Sequence, residues 1–300
     1  MTLLKIGNFM LDSSKKTLIM GIVNVTPDSF SDGGKFDSIE TAANHAKQLV
    51  EDGADIIDVG GESTRPGAKA VTANEELHRV IPVLEQLNDT LDVPLSIDTY
   101  KSSVAEKAIE AGAMLVNDIT ALQGDSRMVN VIADHDVHVC LMHMKGNPRT
   151  MQLNPEYTDL IHEIRVFLKD RADYALFHDI PKDHILFDPG IGFGKRTGRG
   201  IEDNCNILHH LSELKKEGYP VLVGASRKTF IGNVSGGKKV ISVDDRLEGS
   251  IAASCIAAYN GADMVRVHDV LETRKALDII DCILGKSTLK KNKPTKGLNS

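Results

Sequence analysis

An α/β fold, a single (β/α)8 barrel preceded by a short N-terminal hairpin, is what this sequence predicts, on three observations. Eight short apolar runs rich in β-branched residues recur at 18–24, 55–60, 94–98, 114–118, 137–143, 184–188, 221–225 and 264–268. Most are continuous rather than alternating, as strands buried on both faces of a parallel sheet are. Helical spacing lies between them, and strand alternating with helix eight times closes a barrel; an open doubly wound sheet is the runner-up. The third observation is that no composition shift or Pro/Ser-rich linker divides the chain. Three hundred residues would also suit two average domains, and the unbroken repetition decides for one.

In order, residues 1–17 read as a hairpin turning at Gly7-Asn8, a lid or plug before the first main strand. The stretch GIVNVTPDSFSDGG, 21–34, is strand and then loop: Ile22, Val23 and Val25 suit a buried strand, whereas Pro27, Asp28, Ser29, Asp32, Gly33 and Gly34 cannot extend it. Phe30, flanked by serines, is either an anchor onto the domain or an apolar contact for a ligand. The first crossover helix carries Ile39, Ala42, Ala43, Ala46, Leu49 and Val50, with Asp37-Ser38 as its cap and Gly53 at its end. Further helical faces are Leu77, Val80, Ile81, Leu84, Leu87; Val104, Ala105, Ala108, Ile109; Ile207, Leu208, Leu211, Leu214; Leu247, Ile251, Cys255, Ile256; and Leu271, Leu277, Ile280. Residues 196–203 read as a long flexible loop. The barrel is expected to span 18–285, and the basic, aperiodic 286–300 to be a disordered tail.

A hydrophobic fraction of 41% and a charged fraction of 26% are those of a globular protein with a sizeable core. A formal net charge of −7 argues against a nucleic-acid surface, so any anionic ligand must be held by a local basic pocket. Cys140, Cys205, Cys255 and Cys282 are widely spaced, without a CxxC pair or a His at metal-site spacing, which points to free thiols in a reducing compartment. No run approaches the roughly 20 apolar residues of a membrane span, and the N-terminus has no signal-peptide core. A cytoplasmic protein that binds neither membrane nor nucleic acid is expected.

In such a barrel the chemistry sits on the loops after the C-terminal strand ends. Those ends give Asn24, GGESTRPGA at 60–68, Asp98, Asn117 with Asp118, His143, Asp188, Ser226-Arg227-Lys228, and Arg266 with His268. One polar end is ordinarily a helix cap or a rim hydrogen bond. Eight together point to a site. Asp98, Asn117 and Asp188 suit a planar heterocycle presenting several N–H donors, with a Mg²⁺ site as the rival reading. Arg65, Lys228, Arg266 and His268 form a cationic rim for an anion such as a diphosphate. The segment DPGIGFGK, 188–195, fails as a P-loop: Pro189 stands where the first glycine belongs and Arg196 where Ser or Thr must follow the lysine. Its glycines instead let the backbone turn tightly or approach a ligand. His143 reads as a satisfied rim histidine, and Met142 and Met144 as packing with one lining the pocket.

With these residues assembled, the chain resembles the dihydropteroate synthase family from about Leu18 to Leu284. MGIVNVTPDSFSDGG, ADIIDVGGESTRPGA, LSIDTY, VNDIT, DPGIGFGK, SRKTFIG and DMVRVHDV occur in the family's order and near its spacing. The resemblance implies transfer of the (7,8-dihydropterin-6-yl)methyl group from its diphosphate to 4-aminobenzoate, by an SN1-like break of the C–O bond. It implies that Asp98, Asn117, Asp188 and Lys228 hold the pterin with Arg266 over its ring, and that Asp98, Lys228 and Arg266 are catalytic. Asn24 is expected to ligate Mg²⁺, and Thr64, Arg65, Arg266 and His268 to contact the diphosphate. Phe30, Pro66, Lys228 and Thr229 would border the 4-aminobenzoate site, with Asp32 ordering the first loop. A homodimer is expected.

Two departures stand out. RTGRGIED intervenes before Asn204, which leaves Lys195 and Arg196 outside the expected site, and Thr229 replaces the family's usual Ser while keeping the hydroxyl. The rivals are a methyltetrahydrofolate-type methyltransferase, which should lack SRKTFIG and the long STRP loop, and a catalytically silent pterin-binding homologue, against which Asn24, Arg65, Lys228 and His268 argue. A Schiff-base aldolase using Lys228 is a weaker third.

Overall fold

Strands apolar on both faces must be covered on both. In the computed structural model, which describes residues 3–25, 35–63, 70–147, 150–198, 201–236 and 239–286, the eight runs form one parallel sheet. Its strands are β3 (Leu18–Asn24), β4 (Ile56–Gly60), β5 (Leu95–Asp98), β6 (Ala113–Asp118), β7 (His138–Met142), β8 (Ile185–Asp188), β11 (Leu222–Val223) and β12 (Met264–Val267). They pair in the order β11-β12-β3-β4-β5-β6-β7-β8. A parallel bridge between Phe187 and Val221, with the Phe187 N–H donating to the Pro220 carbonyl at 2.9 Å, joins the two ends and closes the barrel.

The helices are α1 (Lys35–Glu51), α2 (Ala73–Thr90), α3 (Ser102–Glu110), α4 (Met128–His135), α5 (Leu160–Phe177), α6 (Asp203–His209), α7 (Leu211–Lys215), α8 (Thr229–Ser235), α9 (Leu247–Tyr259) and α10 (Val270–Ile283). Thr72 and Glu75 form a capping box at the start of α2. Val80, Val83, Leu84 and Leu87 then face the sheet, fully buried.

Inside the barrel a single apolar layer holds Leu18, Met20, Ile56, Leu115, Cys140, Leu186, Leu222 and Met264. The N-terminal hairpin, β1 (Leu3–Ile6) paired with β2 (Phe9–Asp12), inserts Leu4 and Ile6 into that layer and plugs the end where the strands begin. Burying each of those two side chains is worth about 1.5–3 kcal/mol. Among the described residues the interior is open at the opposite end, where the strands finish.

Several expectations need correction. α1 begins at Lys35, so Asp37 and Ser38 lie inside its first turns rather than capping it. The helix expected through Leu214 breaks at His210 into α6 and α7. The stretch 196–203 contains a small antiparallel hairpin, β9 (Thr197–Gly198) with β10 (Ile201–Glu202). Its base is tied by Arg196, whose backbone N–H and guanidinium both donate to Asp203, so it is not a featureless loop. On α9 the inward face is Ser250, Ala253, Ser254, Ala257 and Ala258, while Ile256 is exposed. Small residues let this helix approach the strands closely and turn its larger apolar residues outward. Residues 287–300 of the expected tail, and the calls on Phe30 and Asp32, lie outside the described residues.

Candidate active site

Side chains two positions apart on a strand share a face, and this rule builds the open end. Asp58 follows Ile56, Asn117 follows Leu115, Asp188 follows Leu186 and Arg266 follows Met264, each one step above the apolar layer. The register aligns the strand ends: Asn24 with Gly60, Gly60 with Asp98, Asp98 with Asn117, and Met142 with Asp188.

At the centre Arg266 joins two carboxylates. Its Nε donates to Asp58 Oδ2 at 2.6 Å and a terminal nitrogen donates to Asp98 Oδ2 at 2.7 Å. Asp58 Oδ2 also accepts from the Asn117 amide at 3.2 Å, while the buried Oδ1 has no partner among the described residues. Burial works against the guanidinium charge, but Asp58 and Asp98 outweigh it and push the Arg266 pKa up. Burial raises the carboxyl of Asp98 to about 7 against the pull of Arg266, with the charges of Asp58 and Glu76 adding to the rise.

Asp188 is 5% exposed and accepts the Gly190 N–H on Oδ1 at 2.7 Å. Burial raises its pKa, opposed by that hydrogen bond and by Lys228. Lys228 stands at the N-terminus of α8 with its Nζ 4.2 Å from the centre of the Phe193 ring. Phe193 packs with Ile119, Met142 and Met151, giving the polar row an apolar wall suited to a flat ring. Five expected pterin residues, Asp98, Asn117, Asp188, Lys228 and Arg266, thus come from five elements to one place.

The remaining expected residues divide. Asn24 is exposed at the end of β3, His268 follows β12 with its Nδ1 3.0 Å from Ser226 Oγ, and Thr229 is exposed on the first turn of α8. All three belong to the same open end. Thr64, Arg65 and Pro66 lie outside the described residues, as does Phe30. Lys101 pairs with Glu62 and Glu76, and Glu62 also accepts the Val71 N–H at 3.2 Å. Asp118, adjacent to Asn117, is occupied in its own turn, accepting from the backbone N–H groups of Thr120 and Leu122.

Asp58 escaped the sequence reading because it lies inside a run taken as apolar. The available signal was a lone acid sharing a strand face with Ile56, a place where an ionised carboxylate survives only beside a cation.

Among the described residues no three or more His, Cys, Asp or Glu side chains converge as a metal cage. Asn24 offers one hard oxygen at an exposed strand end, which suits Mg²⁺, an ion that keeps several waters and completes its shell with substrate phosphate oxygens. The donor set fits a magnesium ion arriving with a diphosphate.

The profile of the family described as "Pterin binding enzyme" matches residues 20–268. The dihydropteroate synthase of Synechocystis sp. is 45% identical over 283 residues, 93% of this chain and 94% of that protein. That of Bacillus subtilis is 44% identical over 276 residues, 92% of each chain. Among solved structures, the Yersinia pestis dihydropteroate synthase in a sulfonamide drug complex superposes with a TM-score of 0.87 at 43% identity, covering 94% of this chain and 99% of that one. The Xanthomonas albilineans enzyme with 4-aminobenzoic acid gives 0.86 at 44% identity, covering 94% and 98%. A buried Asp, Asn and Arg constellation at the open end of a plugged barrel, near-complete coverage and identities of 43–45% agree, and the chain belongs to the dihydropteroate synthase family of pterin-binding enzymes.

Proposed function

We propose that the chain carries out its family's reaction in this pocket by an SN1-like, magnesium-assisted route. The reaction joins (7,8-dihydropterin-6-yl)methyl diphosphate to 4-aminobenzoate, giving 7,8-dihydropteroate and pyrophosphate. The observation that carries the assignment of roles is the buried row of Asp58, Arg266, Asp98 and Asn117, with Asp188 across from it. Asp188 accepts N–H groups from the pterin edge, Asn117 donates and accepts beside it, and Lys228 sits over the neighbouring wall. Arg266, its plane fixed by Asp58 and Asp98, covers the ring and turns its charge toward the leaving group.

As the C–O bond breaks, positive charge spreads into the ring, and the carboxylate of Asp98 stabilises it. Arg65, Arg266 and His268 bind the departing diphosphate with Thr64. Mg²⁺ bound through Asn24 would neutralise charge on that group. The arylamine is nucleophilic at neutral pH and needs no strong base. Phe30, Pro66, Lys228 and Thr229 are the proposed 4-aminobenzoate contacts, and a sulfonamide should compete there.

Pyrophosphate release from the pterin diphosphate, followed with and without 4-aminobenzoate, tests this reading. Because ionised Asp98 is the active form and its carboxyl sits at about 7 in the free enzyme, kcat/KM for the pterin diphosphate should rise about tenfold per pH unit below 7 and level off above it. Asp98→Asn should lower kcat more than pterin affinity and abolish that limb. An unchanged profile in the variant would remove Asp98 from the mechanism.

A homodimer in the cytoplasm is proposed with it. The four cysteines are free, and among the described residues no helix is long and apolar enough to cross a membrane. Ile256 and Tyr259 on α9, with Ile279 and Ile283 on α10, are large apolar side chains left exposed on two helices that pack together. Sedimentation equilibrium should give twice the 32.6 kDa chain mass, and Ile283→Glu should shift it toward the monomer. A monomer in the unaltered protein at micromolar concentration would refute the assembly.

A further inference from the structure

Lys195 ends the DPGIGFGK segment and is 1% exposed, yet among the described residues none of its hydrogen bonds reaches a carboxylate. Its Nζ donates to the carbonyls of Phe193 at 2.9 Å and Gly190 at 3.0 Å, lies 3.0 Å from His143 Nδ1, and is 3.4 Å from the His143 carbonyl. An ammonium can only donate, so Nδ1 accepts and the imidazole is neutral.

The carbonyl oxygens crowd here for a local reason. Gly190 has φ +70°, and a Cβ placed on it would stand 1.9 Å from the His143 oxygen. The turn after β8 therefore lies directly on the backbone leaving β7, which only glycine allows. Carbonyl dipoles converging on one dry point repel one another unless a cation sits among them. Burial pulls the Lys195 pKa down to about 7, with Asp188 and Asp203 holding it up, and in its ammonium form Lys195, tethered by its own chain and ringed by three acceptors, is that cation.

The same turn orients Asp188. The Gly190 N–H fixes Asp188 Oδ1 at 2.7 Å, and the His143 N–H holds the Asp188 backbone carbonyl at 2.9 Å. Gly190 thus presents its N–H to Asp188 and its carbonyl to Lys195.

We propose that Lys195 is a positioning residue for pterin recognition, a tethered cation that locks the Gly190 turn and so holds the Asp188 carboxylate in its receiving orientation. This rests on the assignment of Asp188 to the pterin. The inserted RTGRGIED stretch does not displace it, because Arg196 is tied to Asp203 outside the carbonyl cage.

The test is steady-state kinetics on Lys195→Met, Asp188→Asn and the double variant. Lys195→Met should lower kcat/KM for the pterin diphosphate about tenfold to a hundredfold, with the KM for 4-aminobenzoate changed less than about threefold. In the Asp188→Asn background it should add less than about twofold, since it acts through the same carboxylate. Lys195→Gln, which keeps two N–H donors for the Gly190 and Phe193 carbonyls but carries no charge, should recover only part of the loss. Parallel losses toward both substrates, or a full additional loss in the double variant, overturn the proposal. If Lys195→Met does not fold, the glutamine variant decides by the same comparison: a loss confined to the pterin substrate supports the proposal and a loss shared by both overturns it. Unchanged pterin kinetics in Asp188→Asn alone would instead overturn the pterin assignment, so the two failures are told apart.

Discussion

Asp188→Asn is expected to weaken pterin binding by about a hundredfold or more. The reason is the direction its amide must take. The Gly190 N–H lies 2.7 Å from Oδ1, and an asparagine satisfies that donor only by turning its oxygen there. Its NH₂ then faces the ring edge, where the pterin presents N–H groups, and donor meets donor. Each charge-assisted hydrogen bond lost is worth about 1.5–3 kcal/mol, so two exceed the hundredfold mark. Calorimetry with 6-hydroxymethyl-7,8-dihydropterin measures it directly, and an affinity within threefold of the unaltered enzyme would move the pterin elsewhere.

Arg266→Met should be the most damaging change to the fold as well as to turnover. It leaves Asp58, fully buried, and Asp98, 12% exposed, facing each other without the cation that joins them. Removing one partner of a buried ion pair costs about 3–5 kcal/mol. The loss must depend on pH. The carboxyl of Asp98 is already raised to about 7, above its unfolded value near 4, so the folded state holds more protons between those limits. Stability therefore falls as pH rises through that window. Without Arg266 the window extends further upward, and the variant should be nearer to normal at pH 5.5 than at pH 8. Urea midpoints at the two values check this, and an equal deficit at both would show that Arg266 is not needed as a counter-charge.

The strands were legible because burial on both faces writes a continuous apolar run, and the structure has each within about two residues of the expected ends. The helices were less so. Val166, Leu176 and Phe177 point outward from α5, which blurs its apolar stripe, and α9 reverses the usual rule by facing small residues inward. At the site, Asp98, Asn117 and Asp188 were visible as polar residues ending apolar runs. Asp58 was not, since its meaning depends on Arg266, 208 residues later. Lys195 was set aside for the insertion that follows it, whereas its place is decided by carbonyls before it. Arg266 beside Asp58 and His143 beside Lys195 are partners distant in the chain, which local spacing does not reveal.

The barrel is sealed by pairing the first of its eight strands with the last. β3 lies against β12, and beneath that seam the Thr17 hydroxyl and N–H both donate to Asp281, 264 residues away. A ribosome adding roughly 5–20 residues per second needs about 10 to 50 s to deliver that partner. Throughout that interval β3 waits with one long edge unpaired, an apolar strand in crowded surroundings, so the nascent chain is most exposed to aggregation while Asn24 is already made and Arg266 is not. Expression yield should accordingly depend on holdase chaperones more than the stability of the finished enzyme would suggest.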